Sequence, residues 1–280
     1  MSAYASRPGL DVALEDGVLR LTLARPEKRN ALDDVMMSGL IDALDAAGRD
    51  EAVRVIALAA EGEHFCSGAD VVARNARNAR NADGADGAQG KRPRAGSIQR
   101  RLPSQAHRLI PLLATVQTPV VCAVQGWVAG IGLAMAIAAD VTIAAEDARF
   151  WAPFCERGFT PDSGVSWMLP RRIGEVRARQ MLLLGRVLSG REAADWQLID
   201  HAVAADEVAE AAAGVIDRFA QSATVAVGLT KWLMASGQSA SLDEALRHEA
   251  FAMELSSRSE DFREGMAAFT GKRPARFEGR

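Results

Sequence analysis

The chain has 280 residues, 49% of them hydrophobic and 25% charged, with a formal net charge of −3. A chain of this size and composition is globular, one large domain or one with a smaller companion, and can bury a full core. The near-neutral balance gives no general case for nucleic acid or an anionic membrane as a partner.

The three cysteines, Cys66, Cys122 and Cys155, are an odd count at wide spacing with no CxxC pair. They read as reduced thiols in a cytoplasmic setting rather than a disulfide framework. The first residues, MSAYASRPGLDVALEDG, have no apolar signal-peptide core,. No stretch approaches the ~18 uninterrupted apolar residues of a membrane span.

In chain order, residues 1–16 are expected to be a weakly ordered lead-in that ends in a turn at Asp16-Gly17. Val18 to Ala24 alternates, with Leu19, Leu21 and Leu23 on one side, as a half-buried strand does,. RPEKRN is a polar loop. Asp33 or Asp34 then caps a helix to about Ala47 that carries Met36, Leu40, Ile41 and Leu44 on one face,. Val53 to Ala60 reads as a more buried strand, and EGEHFCSGAD as a small-residue turn around Gly68.

Residues 74–101 change character. They are rich in Gly, Asn, Asp and Arg, repeat the triplet RNA and have no apolar face. They are expected to form a mobile surface loop, whose first part could extend as a polar helix. The basic cluster Lys91, Arg92, Arg94, Arg100 and Arg101 reads as a solvated face or as a holder of a ligand's phosphates. No aromatic residue interleaves it, which speaks against nucleic acid.

Gln105 to Val116 predicts a helix, broken at Thr118-Pro119. The stretch Val120 to Asp140 follows, VVCAVQGWVAGIGLAMAIAAD: an apolar strand, then Gly126, Gly130 and Gly132, then a buried Ala-rich helix. Strand, glycine turn and helix can aim unpaired backbone N–H groups at one point, where they hold an anion or the oxygen of a polarised carbonyl. The stretch could equally be a packing turn. It lacks P-loop spacing, so a nucleotide phosphate loop is not expected. Val141 to Ala145 is a further strand, Arg149 to Pro161 strand and loop, and Glu175 to Leu184 a helix ending at Gly185. Ser189-x-x-Glu192 and Ser241-x-x-Glu244 are capping boxes,. After about Asp206 only helices are expected, so residues 1–205 form a β/α core and 206–280 a helical tail.

Six segments together resemble the enoyl-CoA hydratase/isomerase (crotonase) superfamily: LARPEKRNAL (23–32), FCSGAD (65–70), TPVVCAVQGWVAGIG (118–132), GFTPDSG (158–164), LSGREAADWQLID (188–200) and FREGMAAFTGKRPARF (262–277). The motifs look closest to the 2-(1,2-epoxy-1,2-dihydrophenyl)acetyl-CoA isomerase-like subgroup. The resemblance implies an α/β fold, a crotonase-like spiral of ββα units with a C-terminal helical trimerisation region, as a homotrimer or dimer of trimers. It implies an acyl-CoA thioester as substrate and partner, with coenzyme A part of the substrate and no separate cofactor.

It further implies that the N–H groups of Ala69 and Ile131 hold the thioester oxygen and stabilise the enolate. The family usually has Gly where Ile131 stands. The two glutamates of the hydratase pattern fall at Ala134 and Phe154, which carry no proton, so an ordinary hydratase mechanism is not expected. Asp162 stands where the isomerising subgroup has an aspartate. A 1,3-proton shift needs one base, and a single carboxylate in an apolar pocket suits it. Asp162 could also be a helix N-cap.

Glu156 is the second acid/base candidate. In an extended segment it would point to the same side as Phe154; otherwise it pairs with Arg157 or Arg149. By position, Lys28, Arg29, Ala31, Ala69 and Asp70 are the CoA-binding candidates, with Phe269 and Lys272 reaching the CoA of a neighbouring subunit. Asp70 also reads as a structural acceptor. Trp127, Phe154 and Phe159 are the acyl-pocket candidates, with core packing as the alternative. His64, His107, His201 and His248 show no ligand spacing, so no metal site is expected, and Ser67 and Ser163 lack the partner pattern of a serine hydrolase,.

Overall fold

The computed structural model describes residues 4–70 and 95–280. The expected RNA-repeat loop, its possible helical extension and the basic residues Lys91, Arg92 and Arg94 lie outside them. Residues 97–101 of the expected loop are a short helix, α2 (Ser97–Arg101).

The chain starts with a hairpin, β1 (Leu10–Glu15) and β2 (Val18–Leu23). Its loop is Asp16-Gly17, with φ of 50° and 78°. Positive φ at both loop residues gives the turn a twist that matches the strands, which is why Asp-Gly favours it. Residues 10–15 of the lead-in expected to be weakly ordered therefore form a strand. Its signal was the alternation of Leu10, Val12 and Leu14 with Asp11, Ala13 and Glu15, and Leu10 is fully buried.

β3 (Val55–Ala60), β4 (Val120–Val124), β6 (Val141–Ala145) and β9 (His201–Val203) extend the sheet in the order β1-β2-β3-β4-β6-β9, parallel from β2 onward. Near-continuous apolar sequence in β3, β4 and β6 fits strands covered on both faces. α1 (Asp34–Ala47) starts at Asp33, whose side chain accepts from the Val35 and Met36 N–H groups. α3 (Ala106–Thr115) lies against it.

A second, three-stranded sheet is made of β5 (Trp127–Ala129), β7 (Arg149–Trp151) and β8 (Leu188–Ser189). The glycine turn after β4 thus contains a strand that three residues between glycines did not announce. α4 (Ile131–Ala138) follows, with every residue buried. α5 (Val165–Leu184) is broken at Gly174, whose φ of 75° and ψ of 159° are not helical. α6 (Gly190–Asp195) and α9 (Leu242–Ser256) open on the two expected capping boxes. α7 (Val208–Ala220), α8 (Thr224–Gly237), α9 and α10 (Glu260–Thr270) form the helical tail.

Candidate active site

The segment 65–70 ties the two halves of the site together. The Cys66 N–H donates to the Trp127 carbonyl at 2.9 Å, and the Ala129 N–H donates to the Cys66 carbonyl at 2.9 Å. On its other side, the Leu32 N–H donates to the Gly68 carbonyl and the Asp70 N–H to the Leu32 carbonyl. Because successive N–H groups along extended chain point to opposite sides, the Ala69 N–H faces away from Leu32. Among the described residues it has no acceptor.

The Ile131 N–H is the first of α4, and a helix leaves its first N–H groups without an internal partner. The backbone reverses one residue earlier, at Gly130, with φ of 57° and ψ of −118°. Ile131 therefore keeps an ordinary helical backbone, and its branched side chain, 4% exposed, is accommodated in the core. The departure from the usual Gly does not disturb the N–H.

Ala69 and Ile131 both line one cavity of about 900 Å3. Its far wall is the segment Pro153 to Ser163, with Phe154, Phe159 and Asp162. The Phe154 and Phe159 rings meet edge to face, 5.7 Å apart. Gln105, Ala106 and His107, at the start of α3, and α2 complete the lining. Asp162 is not a helix cap: the N-cap of α5 is Gly164, with φ of 78°. One Asp162 carboxylate oxygen accepts the Ser163 hydroxyl at 2.8 Å, and its carbonyl accepts from His107 Nε2 at 2.9 Å. A carbonyl only accepts, so His107 carries its proton on Nε2 and holds this segment to α3.

Other expected residues go elsewhere. Residues Cys155–Arg157 form a 3-10 turn, not extended chain. The Glu156 carboxylate consequently packs against Gly185, and Arg149 and Arg157 lie over the rings of Trp127 and Trp151 instead of pairing with it. Glu156 does not line the cavity. Nor does Trp127, whose ring meets that of Trp151 at a tilt of 47°, centroids 5.5 Å apart. Ala134 is fully buried in α4. Burial pushes the Cys66 thiol up to about 12, so it stays protonated beside the Gly68 turn rather than acting as a nucleophile,.

Lys28 and Arg29 are exposed on a turn outside the cavity wall, and Arg29 has φ of 49°. Ala31 is half-buried, and its carbonyl accepts from Arg25. Asp70 forms an ion pair with Arg25 at 2.9 Å, as a structural acceptor would. The sequence reading missed Asn30. It is fully buried, and its amide donates to the Glu61 and His64 carbonyls, which fixes the RPEKRN turn beside segment 65–70. Phe269, 82% exposed, and Lys272 lie at the end of α10, away from the cavity. His64 is structural: its Nδ1 accepts from the Trp127 N–H.

Two further cavities, one along Asp140 and Lys231 and one between α10 and the C-terminal tail, touch neither donor. Among the described residues, no group of three His, Cys, Asp or Glu could hold a metal ion, and no helix is long and apolar enough to cross a membrane.

Residues 13–280 match the family model described as "Enoyl-CoA hydratase/isomerase". A protein of Escherichia coli named 1,2-epoxyphenylacetyl-CoA isomerase is 36% identical over 267 residues, 95% of this chain and 97% of its own. One of Rhodobacter capsulatus, named a probable enoyl-CoA hydratase, is 36% identical over 95% of this chain and 96% of its own. Among solved structures, an enoyl-CoA hydratase from Polaromonas sp. has a TM-score of 0.85 at 29% identity, covering 96% of this chain and 99% of that one. One from Bacillus anthracis has 0.86 at 26%, covering 97% and 100%. With the crotonase fold, Ala69 and Ile131 lining one cavity and a family match along nearly its whole length, this chain belongs to the enoyl-CoA hydratase/isomerase family of enzymes.

Proposed function

We propose that the chain moves a double bond along the acyl chain of an enoyl-CoA. The Ala69 and Ile131 N–H groups hold the thioester oxygen. The Asp162 carboxylate takes a proton from a carbon next to the double bond. The C–H electron pair becomes a dienolate with its charge on that oxygen, and Asp162 then returns the proton at the other end of the allylic system. The double bond has shifted, and the carboxylate is restored. Backbone donors in a dry pocket suit charge that develops on one oxygen, each supplying about 3 kcal/mol.

One observation carries this reading. Among the described residues, Asp162 is the only carboxylate in the wall of the cavity that holds both donors. Hydration would need a second proton-carrying group, and Ala134, Phe154 and the outward Glu156 do not supply it. The Escherichia coli relative is likewise named an isomerase of a CoA ester. The exposed Leu242 (77%), Phe251 (71%) and Phe269 (82%) of the tail suit contact with further copies as a homotrimer or dimer of trimers.

The Asp162→Asn variant tests the proposal. It should bind a CoA ester as the parent does and isomerise a 3-enoyl-CoA ~100- to 10,000-fold more slowly. Isomerisation at the parental rate overturns it. Rapid addition of water to a short 2-enoyl-CoA would favour a hydratase of altered mechanism, and tight binding with no turnover a non-catalytic acyl-CoA-binding protein.

A further inference from the structure

The cavity wall carries three basic side chains that the proton shift does not use: Arg101, His107 and Arg157. His107 is engaged with the Asp162 carbonyl, and the Arg157 guanidinium lies 5.1 Å from the centre of the Trp151 ring. Arg101 is different. It is the last residue of α2, and its Nε is buried with no hydrogen-bond partner. Among the described residues, its guanidinium meets no acceptor at all. Arginine keeps its charge at any ordinary pH and offers five donors in a fixed fork. A buried donor without a partner is costly, so such a group in a ligand cavity suits an anion brought by the ligand. Asp162 does not serve: no ion pair joins it to Arg101 or Arg157.

Two anions are available on an acyl-CoA, a phosphate of the coenzyme and a carboxylate on the acyl chain. Of the residues expected to hold phosphates, Lys28 and Arg29 stand outside the cavity, while Arg101, from the basic cluster, lies in its wall. Arg101 shares the cavity with Ile98, Leu102, Phe154 and Phe159, the surfaces an acyl chain would lie on, and with the donors for the thioester oxygen. We propose that the acyl group this cavity takes ends in a carboxylate, a dicarboxylic acyl-CoA, and that Arg101 binds that free carboxylate. This rests on the thioester reading above. A planar guanidinium can meet a carboxylate with two parallel N–H donors, which gives direction as well as charge.

Saturated esters separate binding from catalysis. Calorimetry on the full chain would compare succinyl-, adipoyl- and suberoyl-CoA with butanoyl-, hexanoyl- and octanoyl-CoA. At the chain length that reaches Arg101, the dicarboxylic ester should bind roughly 10- to 100-fold tighter than its neutral counterpart. In Arg101→Gln that ratio should fall towards one, and Arg101→Lys should keep part of it. Equal binding of both series to the parent overturns the proposal and leaves the thioester reading standing. So does an unchanged ratio in Arg101→Gln; an equal loss of affinity for both series in that variant would assign the guanidinium to a coenzyme phosphate. If neither series binds, the thioester reading fails and the proposal with it. The parent comparison does not depend on how well any variant folds.

Discussion

Gly130 and Gly68 meet backbone to backbone. A β-carbon on Gly130 would lie 3.6 Å from the Gly68 Cα, and one on Gly68 would lie 3.7 Å from the Ala129 carbonyl oxygen. Their successors are Ile131 and Ala69, so this contact brings together the two segments that carry the donors proposed above. The approach is built by hydrogen bonds from Cys66 to β5 and closed by Gly132, where a β-carbon would come within 2.7 Å of the Cys66 β-carbon and carbonyl oxygen.

Gly130→Ala should damage turnover more than folding. Its φ of 57° with ψ of −118° is a backbone region left to glycine, so the substitution costs ~1–3 kcal/mol as strain or relaxes by moving the Ile131 N–H,. The expected result is a fall in kcat for a 3-enoyl-CoA of at least ~10-fold with a modest drop in the urea midpoint. Unchanged kcat would show that the Ile131 N–H does not need this geometry.

Ile131→Ala makes the opposite separation. The N–H and the helical backbone remain, while a buried side chain is lost. Stability should fall by about 2–5 kcal/mol, read from the denaturant midpoint, with kcat within a few-fold of the parent at low temperature. A large loss of kcat in a folded variant would mean that the side chain, not the N–H, serves the substrate.

Much of this was legible in the sequence, and the reasons for the rest are physical. The alternating leucines of β2, Asp33 as cap and the boxes at Ser189 and Ser241 are local signals, and they fixed their elements. The structure adds the surroundings of the two positions that the resemblance assigns to the hydratase glutamates: Ala134 is fully buried in α4 and Phe154 lies in the cavity wall. Glu156 was misplaced because a 3-10 turn rotates its side chain towards Gly185, which alternation along an extended chain does not anticipate. Asp162 was readable as a cap or a base, and only the positive φ of Gly164 shows where α5 starts. Arg101 was readable as part of a basic cluster, either a solvated face or a holder of a ligand's phosphates. Its place in the cavity depends on contacts between segments distant in sequence.

The pair Lys231 and Asp140 pins α8 to the parallel sheet. Lys231 Nζ donates to Asp140 at 2.6 Å and to the Leu113 carbonyl at 3.2 Å, and the same carboxylate oxygen accepts the Val120 N–H at 2.7 Å. Burial pushes the Asp140 carboxyl up and the Lys231 ammonium down, and each partner's charge opposes that shift in the other. Removing one partner strands the other. Lys231→Met should cost about 3 kcal/mol in urea unfolding, the lower end for broken buried pairs because Asp140 keeps 27% of its side chain exposed,. The double variant Asp140→Asn/Lys231→Met should cost less than Lys231→Met alone. Simple addition of the single effects would show that the two groups are not coupled.

The C-terminal tail is held by a carboxylate whose titration can be followed. Both oxygens of Glu264, in α10, accept from Arg273 at 2.7 Å, and one accepts the Arg276 N–H at 2.8 Å. Hydrogen bonds from Arg273, then from the Arg276 amide, hold Glu264 at about 2, against an ordinary 4.5. A carboxyl depressed on folding stabilises the folded form above its unfolded value, and that contribution is lost as the pH falls towards the folded one. The latch should therefore be intact above about pH 4.5 and open as the pH falls towards about 2. The Arg276 amide resonance should titrate with a midpoint near 2, and in Glu264→Gln this transition should vanish. A midpoint near 4.5 would show that the latch is not formed in solution.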